Sequence, residues 1–270
     1  MPEGPEIRRA ADGVERAVKG RRLSEVYFAF ERLKTYEDEL RTLGVSRVET
    51  YGKAMVTWFG DALAVYSHNQ LYGRWMTRRS DKTPKSSRQL RFAMRSENGS
   101  AFLYSASEIE VVEAANLASH PFLAKLGPDP LHRGVGLRQM RRQMKAFGGR
   151  RLGGLLLDQS FVAGLGNYLR SEILFLSGLS PDRRPKDLSP AEEERLGKNI
   201  IAVTRRAYET GGITTTPSVA KAAKDAGERR RTYRHYAFAR DGSTCRKCDD
   251  IIERGVSAGR RVYVCPTCQS

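Results

Sequence analysis

The chain opens Met-Pro-Glu-Gly-Pro-Glu, and its second and third residues suit a specific chemistry. Met1 precedes a small residue, so its removal is expected, and Pro2 would then carry a secondary α-amine. An α-amino group is less basic than a lysine amine, so more of it is unprotonated near neutral pH. Such an amine can form a Schiff base with an aldehyde-like carbon. From a secondary amine the product is an iminium, whose positive charge cannot be lost with a nitrogen proton. That cation acidifies neighbouring C–H bonds and favours elimination. Glu3 lies beside the amine and Glu6 within one helical turn of it, so either carboxyl could move the protons. The same residues also fit an ordinary helix start, where acidic side chains and proline are favoured.

The second set is Cys245, Cys248, Cys265 and Cys268, spaced C-x2-C-x16-C-x2-C in the last 26 residues. Two short pairs match tetrahedral zinc, each pair forming a knuckle that supplies two thiolates. Iron could use the same ligands, and two disulfides would need an oxidising compartment. A tail of about 35 residues is too short for a core of its own, so metal binding would supply its folding energy. Arg260, five residues before Cys265, falls near the turn of a hairpin finger and could fork onto a phosphate.

Two further stretches carry weaker signals. Gly164-Leu165-Gly166-Asn167 breaks an apolar helical run, and the N–H groups freed there, with the Asn167 amide, could hold a phosphate. A packing turn explains the same glycines. In "YSHNQLYGRW", Gln70, Leu71 and Tyr72 follow a strand. An apolar residue beside an aromatic at a loop tip suits insertion into a base stack. The same pair also fits a core.

The elements that must position these residues follow from periodicity. Residues 4–19 read as a helix, with Ile7, Ala10, Ala11, Val14, Ala17 and Val18 at helical spacing and Pro5 at the first helical position. From about 22 to 105 the pattern is strands, with alternation at 62–67 and 90–95 and a hairpin turn at Asn98-Gly99. After about 106 the chain reads as helical. Leu126–Pro130 reads as a linker. Ser189-Pro190-Ala191-Glu192 is a capping box opening a helix to about Thr210. Residues 213–235, with Arg229, Arg230 and Arg231 in a row, read as a mobile basic loop. The expected fold is therefore α+β: a β-sandwich domain with an N-terminal helix (1–125), a helical domain (126–234) and a β-hairpin zinc finger (235–270).

Composition narrows the partner. The 270 residues hold 47 Lys and Arg against 31 acidic residues, for a net charge of +16. This balance favours a polyanion. There is no signal peptide and no apolar run of about 18 residues, so a cytoplasmic location is expected. With no basic amphipathic helix or lipidation site either, nucleic acid is preferred over membrane. No acidic cluster suits two catalytic metals, which argues against a hydrolytic nuclease. A damage-binding protein without catalysis and a zinc-finger RNA-binding protein would share the charge.

Taken together, "PEGPEI", "GLGNYLRSEIL" and "CPTCQ" resemble the formamidopyrimidine-DNA glycosylase/endonuclease VIII family over nearly the whole chain. The resemblance implies a β-sandwich, a helix–two-turns–helix domain and a zinc finger. It implies a bifunctional DNA glycosylase/AP lyase of base-excision repair acting on double-stranded DNA with an oxidised base or abasic site. It makes Pro2 the Schiff-base nucleophile and Glu3 the general acid/base, adds Lys53 of "YGKAM" near the lesion phosphate, and makes Asn167 and Arg260 phosphate contacts. It makes the four cysteines ligands of one structural zinc. "PEGPEI" and the contiguous "QLY" look more like the endonuclease VIII branch, which implies oxidised pyrimidines such as thymine glycol, dihydrouracil and 5-hydroxy bases. The alternative is the purine-directed branch, which acts on formamidopyrimidine and 8-oxoguanine. A monomer is expected of a protein that wraps a bent duplex.

Overall fold

The computed structural model describes residues 2–270; the expected loss of Met1 lies outside them. Two compact units are present. One holds Pro2 and Glu6–Lys125, the other Glu3–Pro5 and Leu126–Ser270.

In the first unit, α1 (Gly4–Val18) is followed by β1 (Glu25–Phe28), α2 (Glu31–Lys34), α3 (Glu37–Leu43), β2 (Val45–Tyr51), β3 (Ala54–Phe59), β4 (Leu63–His68), β5 (Arg74–Arg78), β6 (Leu90–Ser96), β7 (Gly99–Tyr104) and β8 (Glu108–Glu113). Two antiparallel sheets form, ordered β1-β6-β7-β5 and β2-β3-β4-β8. Val26, Phe28, Phe92, Met94 and Leu103 of the first sheet share a buried cluster with Val48, Met55, Phe59 and Val65 of the second, making a sandwich. Helix α1 contributes Ile7, Ala11, Val14 and Val18 to that core, the stripe its spacing dictates. The helix begins at Gly4, so Pro5 is its second residue.

The other side of β4 is covered as well, with Ala64 and Tyr66 buried against Leu117 and Phe122. Two sequence expectations are corrected in this unit. The chain does not turn helical at 106: β8 pairs antiparallel with β4, Ser67 opposite Ile109 and His68 opposite Glu108. The hairpin loop is Glu97-Asn98, since Ser96 pairs with Gly99. Gly99 is the first residue of β7, where a Cβ would sit 2.1 Å from the Ala17 carbonyl oxygen. Close approach to α1, not turn geometry, requires glycine there.

The second unit contains α4 (Leu137–Ala146), α5 (Leu152–Leu155), α6 (Asn167–Ser177), α7 (Pro190–Glu209), α8 (Pro217–Asp225), α9 (Arg230–Tyr233), β9 (Glu253–Ser257) and β10 (Arg260–Val264). Its core draws Met140 and Met144 from α4, Leu169 and Ile173 from α6, and Leu196, Ile200 and Val203 from α7. Ser189 caps α7 reciprocally with Glu192. The β9–β10 hairpin joins the same core through Val262. The Leu126–Pro130 stretch is packed: the Gly127 N–H donates to the Gln159 carbonyl at 2.9 Å.

The expected mobile loop at 213–235 is instead largely helical. Pro217 occupies the first position of α8, where its missing N–H costs nothing. Ala220 and Ala223 pack on Tyr233 of α9. Arg246 forks onto Glu228 with bonds of 3.1 and 2.6 Å, tying the segment to the cysteine module. The run of arginines obscured a short apolar face. Among the described residues, no helix is long and apolar enough to cross a membrane.

Candidate active site

The N-terminal residues and the glycine turn at 164–167 form one structure. Gly164 takes a positive φ of 87°, and its carbonyl accepts the Gly4 N–H at 2.8 Å. A Cβ on Gly4 would lie 3.1 Å from the Gly164 Cα, so both glycines let the two backbones touch. The Glu3 carboxylate is buried at the N-terminus of α6. It accepts from the Gly166 N–H at 2.8 Å and the Leu169 N–H at 3.3 Å through Oε2, and from the Tyr168 N–H at 2.8 Å through Oε1. Helix N-termini leave such donors unpaired and carry partial positive charge, which offsets the burial of an acid. The turn's backbone N–H groups therefore hold Glu3, where the sequence had offered them to a phosphate.

Pro2 is half-buried and one peptide bond from Glu3; Glu6 lies in the first turn of α1. In the same unit as Pro2, Lys53 is 9% exposed and stands in the β2–β3 turn, after Gly52 at φ 59°. The ladder sets Ala54 opposite His68, bringing Lys53 close to the end of β4. Burial pulls the His68 pKa down; Glu108 opposes this and the Lys53 cation adds to it. His68 leads directly into the loop that carries Gln70, Leu71 and Tyr72. Leu71 is 58% and Tyr72 69% exposed, so neither belongs to the core.

Asn167 is the first residue of α6, and its Oδ1 accepts from Arg170 at 2.8 Å. Sequence reasoning missed Arg170, which is fully buried. Its guanidinium also donates to the carbonyls of Gly153 at 2.9 Å, Ser257 at 3.1 Å and Arg261 at 2.6 Å. It thus joins α6 to the β9–β10 turn, Ala258-Gly259, where both residues take positive φ. Arg260 is the first residue of β10, with its side chain exposed. Burial, reinforced by the Arg260 cation and opposed by Glu3, lowers the Arg170 pKa to about 10. An arginine within an apolar helix was the available signal: such a residue on a buried face must find acceptors.

The four cysteine Sγ atoms lie within 4.8 Å of one another. Cys245 and Cys268 are separated by 3.9 Å, Cys248 and Cys265 by 3.4 Å. None is disulfide-bonded. Tetrahedral thiolates about 2.3 Å from a zinc ion would stand about 3.8 Å apart, so the donor set fits one such ion. Cys245 and Cys265 pack with Phe175 of α6, Tyr236 and Tyr263.

Comparison with known proteins gives a consistent result. The formamidopyrimidine-DNA glycosylase N-terminal domain matches residues 1–106, and the formamidopyrimidine-DNA glycosylase H2TH domain matches residues 126–218. Proteins named Endonuclease 8 from Salmonella agona and Salmonella arizonae are 42% and 43% identical over 271 residues, spanning 100% of this chain and of each relative. Among solved structures, a complex of Lactococcus lactis Fpg with abasic-site DNA is similar at a TM-score of 0.80, with 20% identity over 99% of both chains. A complex of the LlFpg protein with a THF-DNA and an inhibitor reaches 0.82 over 100% of both, also at 20% identity.

Proposed function

The chain belongs to the formamidopyrimidine-DNA glycosylase/endonuclease VIII family, and from that premise we propose that this DNA glycosylase/AP lyase of base-excision repair removes oxidised pyrimidines from double-stranded DNA. The lesion class, with thymine glycol, dihydrouracil and 5-hydroxy bases as its members, is supported by full-length likeness to proteins named Endonuclease 8 and by the contiguous Gln70-Leu71-Tyr72 loop.

The observation that carries the reading is the Glu3 carboxylate, held by three backbone donors one peptide bond from Pro2. A carboxyl so fixed on the residue next to the amine loses little freedom when it moves a proton, which favours general acid/base work. The Pro2 nitrogen, freed by loss of Met1, attacks C1′ of the damaged nucleotide. The C1′–base bond breaks as Glu3, having taken the proton lost by the Pro2 nitrogen, hands it to the departing base. The C1′–O4′ bond then opens, with a proton from water passed to O4′, and gives the iminium, which acidifies C2′–H; removal of that proton expels the 3′-phosphate, and a second elimination expels the 5′-phosphate. Hydrolysis then releases Pro2 and leaves a one-nucleotide gap with phosphate at both ends. Glu6 is the second carboxyl available for proton movement.

Lys53 contacts the phosphate and sugar of the lesion, and Asn167 and Arg260 contact flanking phosphates. Leu71 and Tyr72, on the loop that Gln70 begins, occupy the gap left by the extruded base. One zinc ion on Cys245, Cys248, Cys265 and Cys268 holds the 235–270 module folded. It supplies structure and no chemistry to the reaction, so activity survives chelators too weak to remove it. The enzyme works as a cytoplasmic monomer, with 1–125 supplying the nucleophile and wedge and 126–234 gripping DNA.

Parallel single-turnover assays on duplexes holding one thymine glycol or one 8-oxoguanine test the lesion class. Faster excision of thymine glycol is expected. Faster excision of 8-oxoguanine would move the protein to the purine-directed branch.

A further inference from the structure

The loop between β4 and β5 has a rigid root and a free tip. Gly73 N–H donates to the Asn69 carbonyl at 2.7 Å, and a Cβ on Gly73 would lie 2.5 Å from that oxygen, so only glycine permits the closure. Within the loop Gln70 takes a positive φ of 48°, a conformation unfavourable for a non-glycine residue. Three partners hold it there. Its N–H donates to His68 Nδ1 at 3.1 Å. Its side-chain Nε2 donates to Glu108 Oε1. Its Oε1 accepts from Ser107 Oγ at 2.7 Å. Both ends of the carboxamide are thus occupied, one by Glu108 at the start of β8 and the other by Ser107 just before it. The ladder makes this possible by setting Glu108 directly opposite His68. Beyond this root, Leu71 and Tyr72 project with most of their surface exposed, while Arg88 holds the Tyr72 carbonyl at 2.7 Å.

We propose that Glu108, assisted by Ser107, is a positioning residue for base extrusion: it fixes Gln70 as the root of the loop so that Leu71 and Tyr72 meet the duplex already ordered. This rests on the reading of the loop as a wedge. A wedge ordered beforehand loses less conformational freedom when it enters the stack. The benefit falls on the extrusion step alone, and extrusion is cheap where the base is already unpaired.

The test compares wild type with Glu108→Ala, Glu108→Gln and Leu71→Ala. Single-turnover excision of thymine glycol is measured in a duplex and in a single-stranded oligonucleotide. Glu108→Ala should slow duplex excision about tenfold while changing single-strand excision less than about twofold. Glu108→Gln keeps an oxygen that accepts the same hydrogen bond and should restore most of the duplex rate. Leu71→Ala should show the same selective loss on the duplex. A selective loss for Leu71→Ala with a normal Glu108→Ala overturns the positioning role and leaves the wedge intact. Equal losses on both substrates for Glu108→Ala also overturn it, as damage to the fold. If Leu71→Ala itself shows no selectivity, the wedge reading fails, and the positioning role falls with it.

Discussion

The Glu3 carboxylate lies where a side chain on Gly166 would go: a Cβ at Gly166 would be 2.4 Å from Glu3 Cδ and 2.5 Å from its Oε1. The first acidic residue of the chain and a glycine 163 residues later therefore define one site.

Gly166→Ala should accordingly act through Glu3. Gly166 has φ −142°, which alanine adopts without strain, so space alone is at issue. Displacing the carboxylate from the donors of α6 should cost about 1–3 kcal/mol of stability, as overpacking does. Base excision should fall at least about tenfold, as expected when a catalytic group is misplaced. Thermal melting and single-turnover kinetics check both. A variant with wild-type rates would separate the Glu3 anchor from catalysis.

His235 gives a pH signature to the second unit. Its ring packs 5.3 Å from Tyr168 and 5.4 Å from Phe238 by centroid, and Nδ1 is 2.9 Å from Thr214 Oγ1. Burial, then the Arg234 and Arg230 cations, lowers its pKa to about 3. The fold therefore favours the neutral ring. The stabilisation is complete above the unfolded-state pKa of about 6.5 and is lost as pH falls from there toward about 3. Nitrogen NMR should find the imidazole neutral at pH 5. Denaturant titrations should show stability falling with pH below about 6.5, by at most about 1.4 kcal/mol per pH unit from this group. His235→Gln should flatten that slope. A protonated ring at pH 5 would contradict the assignment.

Removing the metal should undo more than the finger. Elemental analysis should find one zinc per chain, and a thiol-blocking mercurial should release it. The β9–β10 hairpin supplies the Ser257 and Arg261 carbonyls that Arg170 donates to. Loss of the hairpin leaves a buried guanidinium with fewer partners, at a cost of about 3–5 kcal/mol if the charge is left uncompensated. Melting temperature and affinity for abasic-site duplex should both fall on zinc release. If neither changes, the cysteine module does not support the helical unit.

What the sequence made legible depended on periodicity and spacing. The α1 stripe, the strands of the sandwich, the α7 capping box and the four cysteines all repeat at distances short enough to read along the chain. Contacts between distant segments were invisible. Nothing near Glu3 reveals that its partners are the amides of Gly166 and Tyr168. Gly99 looked like a turn residue, but α1 presses on it. The α8–α9 segment was hidden because its apolar face is three small or aromatic residues, Ala220, Ala223 and Tyr233, among many charges. Arg170 read as one cation among 47 Lys and Arg residues until its carbonyl acceptors appeared.

The most direct test of the account is borohydride trapping on a duplex with one thymine glycol, followed by peptide mapping of the adduct. The account predicts a covalent adduct on Pro2, formed only by protein that has lost Met1. Protein with a verified free Pro2 that forms no adduct on thymine glycol, 8-oxoguanine or an abasic site would contradict it.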